Sequence, residues 1–500
     1  MKHKLLILTL ILILVFLTAC GATSATQTEQ PVAAEGGQQV TGAGQQVTGD
    51  AGAKANSVFD MAVFGDAKHI DLNESNGLVQ IGKAGDYVLT GQMTGQVVVD
   101  TPDAENVKII LCGAEIRNEG DACLYVKNAK KTVLASAEGT VNTLVSTGEF
   151  RMPDANNVDA TVFSQDDLNL NGEGVINIES ERGHGVVSKD ELKVKDGTVN
   201  ITAYKKGACG KDALTLEGGT MNVEARTHAL YSEGDINITG GEFILASSEK
   251  DGMQSYANII IAGGRTTVTR STEGIEGLTI TISGGEVDIT ATDDGINASS
   301  ALNDNSSQWQ IGGNPFLTDD GAAITVSGGI VRIHSGADGI DSNGSFNMTG
   351  GELYIDGPET GAEGAIDYAS EAIISGGSVV ATGTAEMAEG FGPNSTQGNI
   401  LFNADRSFEG GTEVTLCDEE GKVLLSFTPE KRFGSVVLSC AGLEVGKTYT
   451  LTIGDVQSEI YMTGICYSTG GRGHEMGPGG PSGPRPPEPP EKPDQNKPFQ

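Results

Sequence analysis

The chain has 500 residues, of which 71 are Gly, 5% are aromatic and one is Trp; 32 basic against 67 acidic residues leave a net charge of −35. The Gly follow no three-residue period and Pro numbers only 16, which excludes collagen, and 38% hydrophobic residues can bury a core that a generic disordered chain could not. A surface this negative repels phosphate, so a basic nucleic-acid binder is excluded and the favourable partners are cations.

At the N-terminus, Lys2 and Lys4 precede an apolar run from Leu5 to Leu17, broken only by Thr9 and followed by Leu17-Thr18-Ala19-Cys20. A charged start, a short apolar centre and a small residue at the cut describe an export signal. The run is short for a transmembrane span. Leu-x-Ala-Cys resembles the bacterial lipobox, which implies that Cys20 becomes the lipidated first residue of a mature protein anchored to the membrane outside the cytoplasm. Residues 1–19 are then the signal, and residues 20–56, rich in Gly, Gln, Ala and Thr, a flexible tether. Six further Cys (Cys112, Cys123, Cys209, Cys417, Cys440 and Cys466) show no CxxC spacing and no clustering with His, a pattern that does not fit zinc. Export permits disulfides, and the last three share one region where a pair is expected; the pairing itself stays open among 15 combinations.

Between residues 57 and 397 the chain repeats itself. Lys195-Asp-Gly-Thr-Val-Asn-Ile201, Glu217-Gly-Gly-Thr-Met-Asn-Val223 and Thr239-Gly-Gly-Glu-Phe-Ile-Leu245 begin a series of Gly-rich turns, each followed by an alternating apolar run. The second Gly of each turn falls at 197, 219, 241, 264, 285, 329, 351 and 377, in steps of 22, 22, 23, 21, 44, 22 and 26. The step of 44 is one coil carrying an insertion, roughly from Ser299 to Asp320. A period near 22 with short alternating segments suits one turn of a parallel β-helix, and Gly supplies the positive φ that sharp corners need. The fold class is therefore all-β, a right-handed parallel β-helix. Weaker repeats at Val107–Leu111, Lys131–Leu134, Asp167–Leu170 and Glu191–Val194 extend it toward the N-terminus, for about a dozen coils. A leucine-rich repeat is the rival, but its Leu pattern is absent. Residues 398–468 alternate differently and read as a small antiparallel β module closing the open C-terminal edge, and 469–500 as a Gly- and Pro-rich disordered tail.

About nine residues past the Gly pair, most coils carry an acid followed by Gly: Asp251, Glu273, Asp294, Asp338, Glu363 and Glu389. Three residues beyond the acid stands a second oxygen-bearing side chain, at Gln254, Glu276, Asn297 and Asp341, with Asp367 one position later in its coil. Stacked in register, these residues form two columns at about 4.8 Å spacing. Like charges about 5 Å apart repel by about 3 kcal/mol at an effective dielectric of 20, so such a stack needs solvation, protonation or bridging cations. Oxygen-only ligands favour Ca²⁺ over transition metals. The bland alternative for any single Asp-Gly is a solvated corner.

The stretch from about Tyr87 to Phe391 resembles the bacterial carbohydrate-binding β-helix family related in fold to pectate lyases. The landmarks are Gly85-Asp-Tyr-Val-Leu-Thr-Gly91, Ser164-Gln-Asp-Asp-Leu-Asn-Leu-Asn-Gly172, Gly185-Val-Val-Ser-Lys-Asp-Glu-Leu192, Gly210-Lys-Asp-Ala-Leu214 and the Gly-Gly-x-Val-x-Ile to Asp-Asp-Gly-Ile run at 284–296. The resemblance implies binding of acidic plant polysaccharide such as polygalacturonate, binding of cellulose, and bound calcium, without enzymatic activity.

The expected function is thus a lipid-anchored, monomeric surface protein that binds polysaccharide through calcium, with no catalytic residues. Trp309, within the insertion, is the candidate for stacking on a sugar, or else a plug holding that loop. A uronate lyase would need a cationic base, for which Arg265, Arg270 and Arg332 are in range of the acidic coils without forming a marked cluster. Gly183-His184-Gly185 and Asp293-Asp294 resemble fragments of polygalacturonase motifs in reversed order, without the partner segments. A third alternative is a structural envelope protein with no sugar ligand.

Overall fold

In the computed structural model, residues 61–101, 106–152, 154–300, 321–361 and 363–470 are described. Cys20, Trp309, the signal, the tether and residues 471–500 of the tail lie outside the described residues. No α-helix occurs among the described residues.

The chain winds as a β-solenoid in which each coil contributes three short strands, and equivalent strands of successive coils pair in parallel. One ladder of 12 strands runs from Leu78–Ile81 through Met253–Ser255, Ile275–Gly277, Ile296–Ala298 and Ile340–Ser342 to Ile366–Tyr368. It is called the first ladder below. The other two ladders are joined in a single 22-stranded sheet, because later strands such as Thr279–Thr290 and Ala323–His334 bend through the corner without a break. Leu168, Leu192, Leu214, Ile236, Ile259, Ile280 and Ile324 illustrate the alternation of these strands: each turns inward to a continuous apolar core, while its neighbours face out.

The Gly period marks the corner between the second and third ladders. Gly285 has φ +84°, and a Cβ there would also come 2.7 Å from the carbonyl oxygen of Gly264 in the coil before, so both backbone conformation and coil spacing demand Gly. At the C-terminal end the last solenoid strand, Ala372–Gly383, is met by Phe433–Ser439 running antiparallel, from Val379 opposite Ser439 to Gly383 opposite Ser435. The parallel edge is thereby covered. A separate antiparallel sheet of four strands, in the order Val423–Phe427, Val414–Cys417, Thr448–Ile453 and Val456–Tyr461, completes this region.

The expectation of a disulfide among Cys417, Cys440 and Cys466 is corrected: all six described Cys are free. Cys440 packs within the apolar core of the C-terminal region, and the Cys466 thiol donates to the carbonyl of Phe391 at 3.4 Å.

Candidate metal centre

The acid columns are set by the backbone register of the first ladder. Gly252 N–H donates to the carbonyl of Glu273 at 3.0 Å, Gly274 N–H to that of Asp294 at 2.9 Å and Gly295 N–H to that of Asp338 at 2.8 Å. Asp251, Glu273, Asp294 and Asp338 therefore follow one another coil by coil. The second column pairs Gln254 with Glu276, Glu276 with Asn297, Asn297 with Asp341 and Asp341 with Asp367. Asp367, one position late by counting, falls in register. The Gly after each acid is there for space. A Cβ on Gly274 would sit 2.3 Å from the carbonyl oxygen of Gly295 and 2.3 Å from the Ile289 side chain. This contact keeps the coils close and holds the preceding acid on the outer rim.

Glu363 does not join the column. Ile340 pairs with Ile366, which brings Gly364 beside Asp338; Gly364 N–H donates to Asp338 Oδ1 at 2.5 Å while Glu363 is exposed. The step of 26 residues between these coils places its extra residues before the strand, shifting the acid out of register. Glu363 still bears electrostatically on Asp294 and Asp341.

Two groups of three carboxylates converge. Asp251, Glu273 and Glu276 each offer an oxygen within 4.8 Å of the others, and so do Asp338, Asp341 and Asp367. Between the groups stand Asp294, which accepts the Asp338 N–H at 3.0 Å, and Asn297, whose Nδ2 donates to Glu273 Oε2 at 3.1 Å. Gln254 Nε2 donates to Glu276 Oε2. Burial, reinforced by Glu276, Asp251 and Asp294, pushes the Glu273 carboxyl up to about 8. Burial raises Asp341 to about 7, with Asp294, Asp367 and Glu363 adding to it, and raises Asp294 to about 6, with Asp293 next. Asp338 is also raised, chiefly by burial, against the opposing bond from Gly364. Burial and mutual repulsion thus disfavour the charged form in most of these groups, and a cation would relieve both.

The residues fit a hard cation. Every donor is an oxygen, and the Asn297 Oδ1 is buried with no hydrogen-bond partner among the described residues, an acceptor set between the two groups. Asp251, Glu273 and Glu276 could hold one Ca²⁺, and Asp338, Asp341 and Asp367 another, with Asp294 and Asn297 in reach of either neighbouring coil.

Continuing the first column toward the N-terminus reveals residues that the acid series did not point to. The pairing of Leu230 with Met253 sets His228 beside Asp251; Ala208 with Leu230 sets Lys206 before it; Val186 with Ala208 sets His184 before that. His228 Nε2 lies 3.4 Å from Asp251 Oδ2. The acid column therefore begins where a basic one ends. His184 and Asp294 are five coil steps apart, about 24 Å, so the two fragments resembling a hydrolase motif do not share a site.

Two of the three arginines form a cluster that counting along the chain missed, on the third ladder and not beside the acid columns, while Arg270 pairs with Glu224 at 3.9 Å. Arg265 and Arg332 both converge on Glu286 and Asp288, with Arg265 Nη2 to Asp288 Oδ2 at 2.7 Å and Arg332 Nη1 to Glu286 Oε1 at 2.6 Å. Their charges are neutralised in place.

Residues 75–321 match a family model described as carbohydrate-binding domain-containing protein. A relative from Acetivibrio thermocellus with the same description is 31% identical over 160 residues, or 31% of this chain, and the chain spans 55% of that protein's length. A solved structure described as a polysaccharide lyase-like protein from C. thermocellum, in a gadolinium derivative, aligns with 61% of this chain and 95% of its own at 19% identity and a TM-score of 0.29. The family model and the Acetivibrio relative share a carbohydrate-binding description. Over residues 75–321 the chain is thus similar to a carbohydrate-binding domain family, and its stacked parallel coils make the fold a parallel β-helix.

Proposed function

We propose that the chain binds acidic polysaccharide, of the polygalacturonate type, without transforming it, through Ca²⁺ held on the first ladder. The observation that carries this reading is the pair of three-carboxylate groups, each with its oxygens within 4.8 Å, aligned on one ladder. A chain at −35 repels a polyuronate, and a cation shared between protein and sugar carboxylates converts that repulsion into attraction. Cellulose, being neutral, would be held by ring stacking instead. The sequence at Leu17–Cys20 supports attachment to the bacterial membrane through a lipid on Cys20, with the solenoid displayed outside the cytoplasm.

Calorimetric titration with polygalacturonate oligomers tests the reading. Binding in Ca²⁺ that disappears in EDTA, and in the quadruple variant Glu273→Gln, Glu276→Gln, Asp338→Asn, Asp341→Asn, is the expected result. Binding that survives the chelator overturns the cation bridge. The lyase alternative is checked in the same cuvette by absorbance of the unsaturated product; with Arg265 and Arg332 both tied to carboxylates, none is expected. A glycan array with no ligand in either condition would favour the purely structural alternative.

A further inference from the structure

The coils just before the acid groups present a different chemistry on the same ladder. Tyr231 stands in register beside Gln254 and so two coil steps below Glu276. Tyr256, at the turn that follows Met253–Ser255, is 48% exposed and meets the Tyr231 ring edge-on with centroids 5.7 Å apart. Tyr231 in turn tilts against the His228 ring at 5.5 Å, and His228 Nε2 is 3.4 Å from Asp251 Oδ2. Three rings thus run unbroken from solvent to the first carboxylate group.

A cation joins them. The Lys206 ammonium lies over the Tyr231 ring and makes no ion pair among the described residues, although acidic side chains outnumber basic ones two to one in this protein. Glu233 and Asp159 bear on this ammonium electrostatically without pairing with it, and Asp159 is already shared by Lys205 and His184. A half-buried ammonium held by an aromatic face, with no carboxylate in direct contact, is a site for an anion.

We propose that Tyr256, Tyr231 and Lys206 form a sugar subsite that stacks one ring of an acidic polysaccharide and receives its carboxylate, adjoining the cation held by Asp251, Glu273 and Glu276. The inference rests on the cation-bridged reading for the neighbouring sugar, and adds the aromatic and cationic contacts that this bridge lacks. The flat C–H face of a pyranose packs on an exposed tyrosine ring, and its carboxylate reaches the ammonium one edge away. Successive coils are about 4.8 Å apart, comparable to one sugar residue, so neighbouring residues of a chain laid along the ladder meet the ammonium and the cation in turn. A negative protein thereby selects an acidic glycan by two different contacts.

The test uses the protein with Ca²⁺ bound, titrated with an oligogalacturonate and with a cello-oligosaccharide, and reads metal affinity separately by terbium luminescence. Tyr256→Ala is expected to weaken both oligosaccharides roughly three- to tenfold. Lys206→Gln is expected to weaken the oligogalacturonate alone, and neither variant to change metal affinity. Wild-type affinities in Tyr256→Ala overturn the platform; equal losses for both sugars in Lys206→Gln overturn the carboxylate contact. Binding that depends on Lys206 but persists in EDTA sinks the cation bridge while leaving this subsite standing. Ca²⁺-dependent binding indifferent to both variants does the reverse.

Discussion

Asn297 donates a hydrogen bond to Glu273 across one coil, Nδ2 to Oε2 at 3.1 Å, while its own side-chain oxygen is buried without a partner among the described residues. One end of the amide steadies a carboxyl whose protonation burial favours, and the other end faces the gap between the two carboxylate groups. That arrangement is costly empty and satisfied when a cation supplies the missing partner. Glu273→Gln is therefore expected to act in opposite directions in the two states. In EDTA at pH 9 it removes a disfavoured charge and raises the melting temperature; in Ca²⁺ it removes a ligand, lowers metal affinity and loses much of the metal's stabilisation. Scanning calorimetry with and without Ca²⁺ reads both signs, and a variant destabilised in EDTA would contradict the assignment.

The same groups set the pH dependence of the metal-free protein. Their carboxyls keep a proton to higher pH in the folded state than in the unfolded chain: Asp294 to about 6, Asp341 to about 7, Glu273 to about 8. Groups raised in this way contribute stability that is complete below the ordinary carboxylate range and is lost as pH rises through the folded values. In EDTA, denaturation midpoints should fall between about pH 5 and pH 9. Added Ca²⁺ should flatten or reverse that fall, because it competes with the protons and binds best where they have left. A midpoint that rises over this range without metal would show the carboxyls to be stabilised as anions by other means.

Gly274 links the column to the core. A methyl group there would meet a backbone oxygen and the Ile289 side chain at 2.3 Å each, and the backbone cannot swing aside. Gly274→Ala is expected to cost about 1–3 kcal/mol of stability by overpacking and to spread Glu273 from its neighbours, lowering metal affinity as well. Chemical denaturation and terbium titration measure the two effects. A variant that is stable and binds metal normally would show that the close approach of the coils is not what aligns the acids.

How far the site was legible in the sequence follows from what a fixed period can carry. The spacing of the Gly pairs located the corners, because each corner needs the same positive φ at the same place in the coil. It also aligned Asp251, Glu273, Asp294 and Asp338, whose coils have nearly constant outward length once the insertion after Ser299 is set aside. It failed at Glu363, where extra residues before the strand put Gly364 in the acid's place, while Asp367, counted one position late, falls in register. An acid series also ends at Asp251, although the positions of the column continue beyond it. A step of 23 back from Gln254 reaches Tyr231, and a step of 23 back from Asp251 reaches His228, so the aromatic and basic half of the ladder was open to the same count. The convergence of Arg265 and Arg332 on Glu286 and Asp288 was less accessible, since it depends on which face of the third ladder each side chain takes across the 44-residue step.

Beside the strand pairing, Asp356 is a residue through which the C-terminal region grips the solenoid. Its side chain is 1% exposed and accepts the backbone N–H of Glu430 at 2.8 Å and that of Lys431 at 3.2 Å. His334 Nδ1 lies 3.4 Å from the same Oδ2, and that hydrogen bond raises the His334 pKa against the opposing effect of burial. The Lys431 ammonium meanwhile donates to the main-chain carbonyls of Ser335, Asp356 and Gly357. Asp356→Asn replaces a buried anion serving several donors by an amide whose NH₂ opposes them, and should cost about 1–3 kcal/mol. Because His334 is raised in the folded state, its share of the stability is complete below the ordinary histidine range and is lost as pH rises through the raised value. With Ca²⁺ bound, denaturation of the wild type should show that loss near and above neutrality, and Asp356→Asn should lower stability throughout while removing the His334 share of the slope. If that share of the slope persists in the variant, the titrating group is another than His334.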